Sequence, residues 1–433
     1  MHLAQRAYVL LVLTAIVAIA GLWSDRAGMT ELWCIPAAML LIGLAVEGWR
    51  LQRSGLGVDI ETASRAFLGR TQAAAFVFRN EASRPTIVRY VAATPAGVLP
   101  AFGQPRLVEA PPRGACRDEF ALVPTQLGVQ DWPEIPLQVL GSLELAWWSR
   151  ASRPTASLRV APDLLMSSRA RPRGQPTGER PRRVVGAGSE LHQLRAYRRG
   201  DPPAWIDWKA SARSAALLTR EFTEDQHLDV LIALDAGRSS TVRAGYLNRF
   251  GLYANLAARL AEIVVHNDDR IGLLVFADRP IIARSPARGR PAVLALRAAL
   301  EAHGPSSIES DPLAAAVKMR GMLTRRSLIV LLTDLEDVNA ADPLQRTVRL
   351  LSPPHLVVAV SVAGAEIEQL AGRPARRWLD PWIALAAREH LQRAAAQRAM
   401  LQRLGVVAVS APQEQLESAV LARYATLRRA RRI

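Results

Sequence analysis

Two apolar stretches open the chain, roughly Tyr8 to Trp23 and Leu32 to Val46, divided by the polar stretch SDRAGMTE. Each approaches the ~20 residues a helix needs to cross the hydrocarbon core of a bilayer. Trp23, Trp33 and Trp49 stand at their ends, where interfacial aromatics belong. The pattern predicts a transmembrane helical hairpin over residues 1–54. A cleaved signal peptide would explain only the first stretch, and no small-x-small cleavage site backed by a mature domain follows it. Over residues 55–166 the pattern changes to short runs rich in Val, Thr, Phe and Trp, such as RTQAAAFVFRN, TIVRYVAAT, CRDEFALVPT and GSLELAWWS, punctuated by Pro and Gly. Such spacing predicts a small β-sandwich-like domain. Its adjacent Trp147 and Trp148 must face opposite sides of a strand, so one is expected in the core and the other at the rim.

Residues 167–185 are dense in Arg, Pro and Gly and read as a linker. From residue 228 to 433 apolar strand-like runs alternate with helical periods. LDVLIALD, RIGLLVFAD, RSLIVLLTD, HLVVAVSVA and VVAVSA are strands, and helices run through YLNRFGLYANLAARLAEIVVH, PAVLALRAALEAH, DPLAAAVKMRGML, PWIALAAREHLQRAAAQRAMLQRL and QEQLESAVLARYATLRRA. That alternation predicts an α/β doubly wound, largely parallel sheet. No Gly-rich phosphate loop opens its first helix, which argues against nucleotide binding.

Charge sharpens the picture. The chain of 433 residues carries a net charge of +16, almost wholly from arginine. No aromatic-basic RNA motif, zinc-finger spacing or helix-turn-helix signal accompanies it, so nucleic acid is not the expected partner. Anionic lipid headgroups beside a membrane-tethered domain account for the charge more simply. Arg6 before the first apolar stretch, and Arg50 and Arg53 after the second, predict that both ends of the hairpin face the cytoplasm. Cys34 and Cys116 build no disulfide framework.

Candidate chemistry collects where predicted strands end. Asp235 closes LIALD and Asp334 closes LLTD, in the position past the carboxyl end of a parallel strand where ligands bind. With Ser239 and Ser310 they resemble the metal-ion-dependent adhesion site of the von Willebrand factor A domain, built from a D-x-S-x-S loop, a Ser or Thr from a second loop and a TD loop. The resemblance implies magnesium held by Asp235, Ser239, Ser310 and Asp334. Gly237 replaces the first serine of the pattern, so a degenerate loop is expected, with weak or absent magnesium binding and no other cofactor. Asp311, followed by Pro312, reads as a helix cap rather than a ligand.

The run GAGSELHQLRAYRRGDPPAWIDWKASARSAALLTREF, within residues 186–227, is similar to the signature of the bacterial domain of unknown function 58 (DUF 58), roughly L-R-x-Y-x-x-G-D-x-x-R-x-I-D-W-K-x-S-A-R. Leu194, Arg195, Tyr197, Gly200, Asp201, Ile206, Asp207, Trp208, Lys209, Ser211, Ala212 and Arg213 fit it, and Ala204 or Trp205 stands where an Arg is usual. Its charges are expected to pair among themselves and Tyr197, Trp205 and Trp208 to bury, making an interdomain clasp rather than a docking surface. A hydrolase built on Asp207, Lys209 and Ser211 lacks a recognisable nucleophile and base. The resemblance implies a non-enzymatic adaptor of the bacterial inner membrane, with two spans and cytoplasmic domains, partnered by a MoxR-type AAA+ ATPase in a chaperone-like or maturation system. The competing reading is a cell-envelope enzyme or a regulator of cell-wall synthesis.

Overall fold

The computed structural model describes residues 1–23, 31–53, 55–100, 103–163, 184–186, 190–224, 227–337 and 341–429. The chain divides into two compact units. One comprises Met1–Asp163 with Asp235–Ala258 and Ala295–Ser310; the other comprises Leu164–Leu234, Arg259–Leu294 and Asp311–Ile433.

In the first unit, helices Gln5–Leu22 and Cys34–Arg53 pack against each other, and both are long and apolar enough to cross a membrane. The second extends beyond the apolar stretch that announces it, through Glu47 to Arg53, because its last turns have a surface to pack on. That surface is the turn and strand Gly141–Ser152 of the β-rich part. Glu47, only 1% exposed, accepts the backbone N–H groups of Leu143 (2.7 Å), Leu145 (3.0 Å) and Ala146 (3.2 Å), and the indole N–H of Trp148 at 3.4 Å. A buried carboxylate survives only when so many donors replace water. Gly141 makes room for it, since a Cβ there would lie 2.2 Å from the Glu47 carboxyl carbon. Ala7, Leu40 and Leu145 form a small apolar cluster at the same junction. His2–Leu3 pairs antiparallel with Ala146–Trp147, and the Ala4 N–H donates to the Leu145 carbonyl at 2.7 Å. The N-terminus and the start of the β-rich part therefore lie at the same end of the helical pair.

The β-rich part contains a five-stranded, a four-stranded and a three-stranded sheet. Strand Gln72–Asn80 sits between Leu56–Thr62 and Gly114–Pro124, and Thr86–Val91 between Ile135–Leu140 and Pro105–Ala110, all antiparallel. Ser157–Ala161 is parallel to Arg65–Phe67, so the sheets are mixed. Their shared core is aromatic: Phe76 stacks on Phe120 at 4.8 Å and meets Tyr90 edge-on at 5.4 Å, with Trp132 beside them. Trp147 and Trp148 depart from expectation. Both are half-buried, Trp147 beneath the Arg89 guanidinium at 4.3 Å and Trp148 against the Glu47 helix, because each face of this strand is only partly covered.

The second unit is built on a six-stranded sheet in the order Pro280–Ala287, Arg270–Phe276, Asp229–Asp235, Leu328–Leu332, Leu356–Val362, Val407–Ala411. The last four run parallel, and Pro280–Ala287 is an antiparallel edge. That edge strand was not expected from the sequence; its two prolines suit an edge, where ladder donors are dispensable. The central strands are buried along their whole length, which explains their unbroken apolar runs. Two further helices, Ala341–Leu351 and Ala365–Gly372, complete the connections. The final helix, Gln413–Arg429, is tied down by Asp269, 1% exposed, which accepts the Tyr424 hydroxyl (2.6 Å), Arg428 Nε (2.9 Å) and the Leu228 N–H (3.1 Å). Burial, then the Asp269 charge, pushes the Tyr424 phenol well above its ordinary pKa. Of the expected linker, residues 167–183 lie outside the described residues, and Val184–Gly186 is a strand.

Candidate functional site

Asp235 is the last residue of strand Asp229–Asp235, and Asp334 comes two residues after strand Leu328–Leu332. Around Asp235 the loop closes on itself. Its Oδ1 accepts the Gly237 N–H at 2.9 Å and a short hydrogen bond from the Ser310 hydroxyl, while its backbone carbonyl accepts Ser240 Oγ at 2.7 Å. Asp235 is 2% exposed, and Ser239 lies half-buried in the 3-10 turn Arg238–Thr241. The Ser240 hydroxyl thus serves the Asp235 carbonyl, and Ser239, the expected ligand, stands next to it in the same turn. Backbone bonds from Arg238 N to Ile308 O (2.8 Å) and Ser306 N to Ala236 O (2.7 Å) lace the two loops together.

Magnesium wants near-octahedral hard oxygens. The space that a side chain at position 237 would fill is taken: a Cβ there would stand 2.0 Å from Ser310 Oγ and 2.9 Å from the Ile308 carbonyl oxygen. The residues present therefore do not fit the full hydroxyl set, and adding a serine at 237 would crowd Ser310 rather than restore a ligand. Asp334 accepts the Glu336 N–H at 2.9 Å, as a turn cap does. Asp311 caps helix Pro312–Met322 by accepting from Leu313 N (2.9 Å) and Ala314 N (3.1 Å).

The segment that follows the expected linker makes a small antiparallel sheet in the order Val184–Gly186, Leu218–Glu224, Glu190–Ala196, with the short helix Trp208–Ser214 beside it. Arg195 is the hub. It grips Asp201 through two nitrogens at 2.8 and 2.7 Å and makes a short ion pair with Glu221. The Arg195 bonds, with the Arg198 N–H next, hold the Asp201 carboxyl down at about 2. Gly200 supplies the positive φ of +110° that turns the chain back so that Asp201 can reach Arg195. Asp207 caps the helix through Ala210 N (3.0 Å) and pairs with Arg220 Nε (3.0 Å); these bonds lower its pKa, the backbone donor contributing most.

Two expectations fail here. Lys209 and Arg213 are exposed and take no part in these pairs, whose cationic members are Arg195 and Arg220. Trp208 does not bury. It is 66% exposed, at the first helical position directly after the capping Asp207. Tyr197 and Trp205 are half-buried. Sequence reasoning overlooked Arg220 and Glu221, which lay inside the quoted run, and Glu47, which was signalled as a lone acid at the end of an apolar stretch.

Comparison with known proteins follows the same geography. The family model described as protein of unknown function DUF58 matches residues 193–375. Uncharacterized proteins of Mycobacterium tuberculosis and Mycobacterium bovis are 26% identical over 183 residues, 41% of this chain. The matched stretch spans 56% of those relatives' own length. Among solved structures, the conserved hypothetical protein BatB from Bacteroides thetaiotaomicron aligns at 17% identity, covering 45% of this chain and 98% of its own, with a TM-score of 0.28. An uncharacterized membrane-spanning protein from Vibrio fischeri aligns at 14% identity over 47% of this chain and 99% of its own, with a TM-score of 0.18.

Proposed function

We propose that this chain is a membrane-anchored, non-enzymatic protein-interaction adaptor of the DUF58 type, working with a MoxR-type AAA+ ATPase in a chaperone-like or complex-maturation system. In this reading its β-rich part is sandwich-like, its α/β part is von Willebrand factor A-like, and its soluble domains are cytoplasmic. One observation carries it: Trp208, 66% exposed, stands with exposed Lys209 and Arg213 on a helix whose capping Asp207 is paired with Arg220 of strand Leu218–Glu224. A large aromatic left in water on a rigid support is the composition of an interface centre rather than of a core. In this reading the signature is a docking face.

Other features support the same reading. Ser211 is buried with its hydroxyl accepting the Leu218 N–H at 2.8 Å, and Asp207 is engaged as a cap, so neither is poised as nucleophile or base. The shared end of the helical pair, carrying Arg6, Arg50 and Arg53, suits a cytoplasmic face. A Trp208→Ala variant tests the proposal: its melting temperature should match the unaltered protein while ATPase capture is lost. A large fall in melting temperature with capture intact per folded molecule would return the segment to a structural role. Alkaline phosphatase fused after Val58 should be inactive, and high activity would reverse the topology.

A further inference from the structure

The connection between helices Ala365–Gly372 and Asp380–Arg403, together with the first turns of the longer helix, leaves an unusual amount of apolar surface in water. Trp378 is 78% exposed, Trp382 64% and Leu385 55%. Trp382 and Leu385, with exposed Ile383, stand on the first turns of the longer helix, and exposed Trp378 and Leu379 in the turn just before it, so the five lie close together along the chain. Exposed Arg373, Arg376 and Arg377 lie immediately before them. The turn is held in shape by Asp380, whose carboxylate accepts the N–H groups of Arg376 (2.7 Å) and Arg377 (2.8 Å). The acid in the middle of the patch is directed at backbone donors, which leaves the arginines to set its outward charge.

Folding gives no reason to keep two indoles in water here, so the patch is a contact surface. Its chemistry selects the partner. Tryptophan is at its most favourable at headgroup depth, aliphatic neighbours enter the acyl boundary, and arginine reaches back to phosphate. A groove on a protein would cover the patch equally well, but would leave the adjoining arginine cluster without a reason. The same chain holds two helices apolar enough to cross a bilayer. If they anchor it, a lipid surface is always within reach; the inference takes only that local concentration from the anchored reading.

We propose that the Trp378–Leu385 segment is an interfacial docking site for an anionic phospholipid bilayer, with Trp378, Trp382 and Leu385 entering the headgroup boundary and Arg373, Arg376 and Arg377 pairing with lipid phosphates. Docking would hold the α/β unit against the leaflet and release it when the surface charge falls.

The test uses the full chain carrying Cys34→Ser and Cys116→Ser, with an environment-sensitive fluorophore on Ala386→Cys, an exposed position next to Leu385. It is reconstituted in vesicles of phosphatidylcholine alone or with phosphatidylglycerol. Expected is a blue-shifted emission, quenched by doxyl-labelled lipid, in the phosphatidylglycerol vesicles only. Each surface-adjacent arginine contributes about fivefold to such binding, so Arg376→Gln with Arg377→Gln should lower the docked-to-undocked ratio roughly 30-fold. Trp378→Ser with Trp382→Ser should abolish the shift while far-ultraviolet circular dichroism stays unchanged. Emission at its aqueous value in both vesicles overturns the proposal. So does a blue shift that lipid quencher leaves untouched and that grows with protein concentration, which marks self-association, or one that needs an added protein. Failure of the helical pair to insert shows separately, as loss of the chain from the vesicles.

Discussion

Glu47→Ala removes the acceptor on which the junction between the apolar helices and the β-rich part depends. Three backbone N–H groups and one indole converge on that carboxylate. The Leu143 amide lies in an exposed residue and rehydrates, whereas Leu145 and Ala146 are buried and their amides are stranded. Each stranded donor costs about 1–3 kcal/mol, giving a loss of about 4 kcal/mol for the pair. Removing one side of a buried charge network has a similar cost, about 3–5 kcal/mol. For a unit of this size that corresponds to a fall of roughly 8–16 °C in Tm. The assay is thermal unfolding of the full chain in detergent, with hydrogen exchange read at Leu145 and Ala146. Glu47→Gln keeps one acceptor oxygen but turns an N–H₂ group toward the Ala146 amide, so it should fall between. Glu47→Ala with unchanged Tm and unchanged exchange at those two amides would refute the reasoning.

Gly237→Ser should lower stability and add no magnesium binding by calorimetry, because its Cβ meets Ser310 Oγ; micromolar binding that Asp334→Ala then removes would show the opposite. Asp201 has its pKa lowered on folding, so its contribution is fully present above the unfolded value near 4 and fades as pH falls toward about 2. Thermal scans between pH 5 and pH 2 should therefore show less acid destabilisation in Asp201→Asn than in the unaltered chain. Asp269→Ala should free the last helix, read as faster exchange around Tyr424 and Arg428, since both lose their shared acceptor.

Much of this fold could be read directly from residue order. Strands such as Asp229–Asp235 and Leu328–Leu332 are buried on both faces and so are written as pure apolar runs, and Asp311 before Pro312 announces a helix start. Ala341–Leu351 carried a readable signal too, with Leu344, Val348 and Leu351 buried on one stripe. Less legible were features set by tertiary partners. Trp208 follows a helix cap, and nothing local says which way the first helical residue will face. Glu47 is buried by a turn almost a hundred residues away. Gly237 looks like a missing ligand until the Ser310 hydroxyl is found occupying its space.

The central claim is that the signature face engages an AAA+ ATPase at the membrane. Affinity capture of the full chain from native membranes, helical pair intact, with bound proteins identified by mass spectrometry, tests it most directly. The account predicts a MoxR-type ATPase recovered with the unaltered chain and absent with Trp208→Ala. Recovery of a cell-wall synthesis enzyme or nucleic acid in its place, or equal ATPase recovery with both chains, would contradict it.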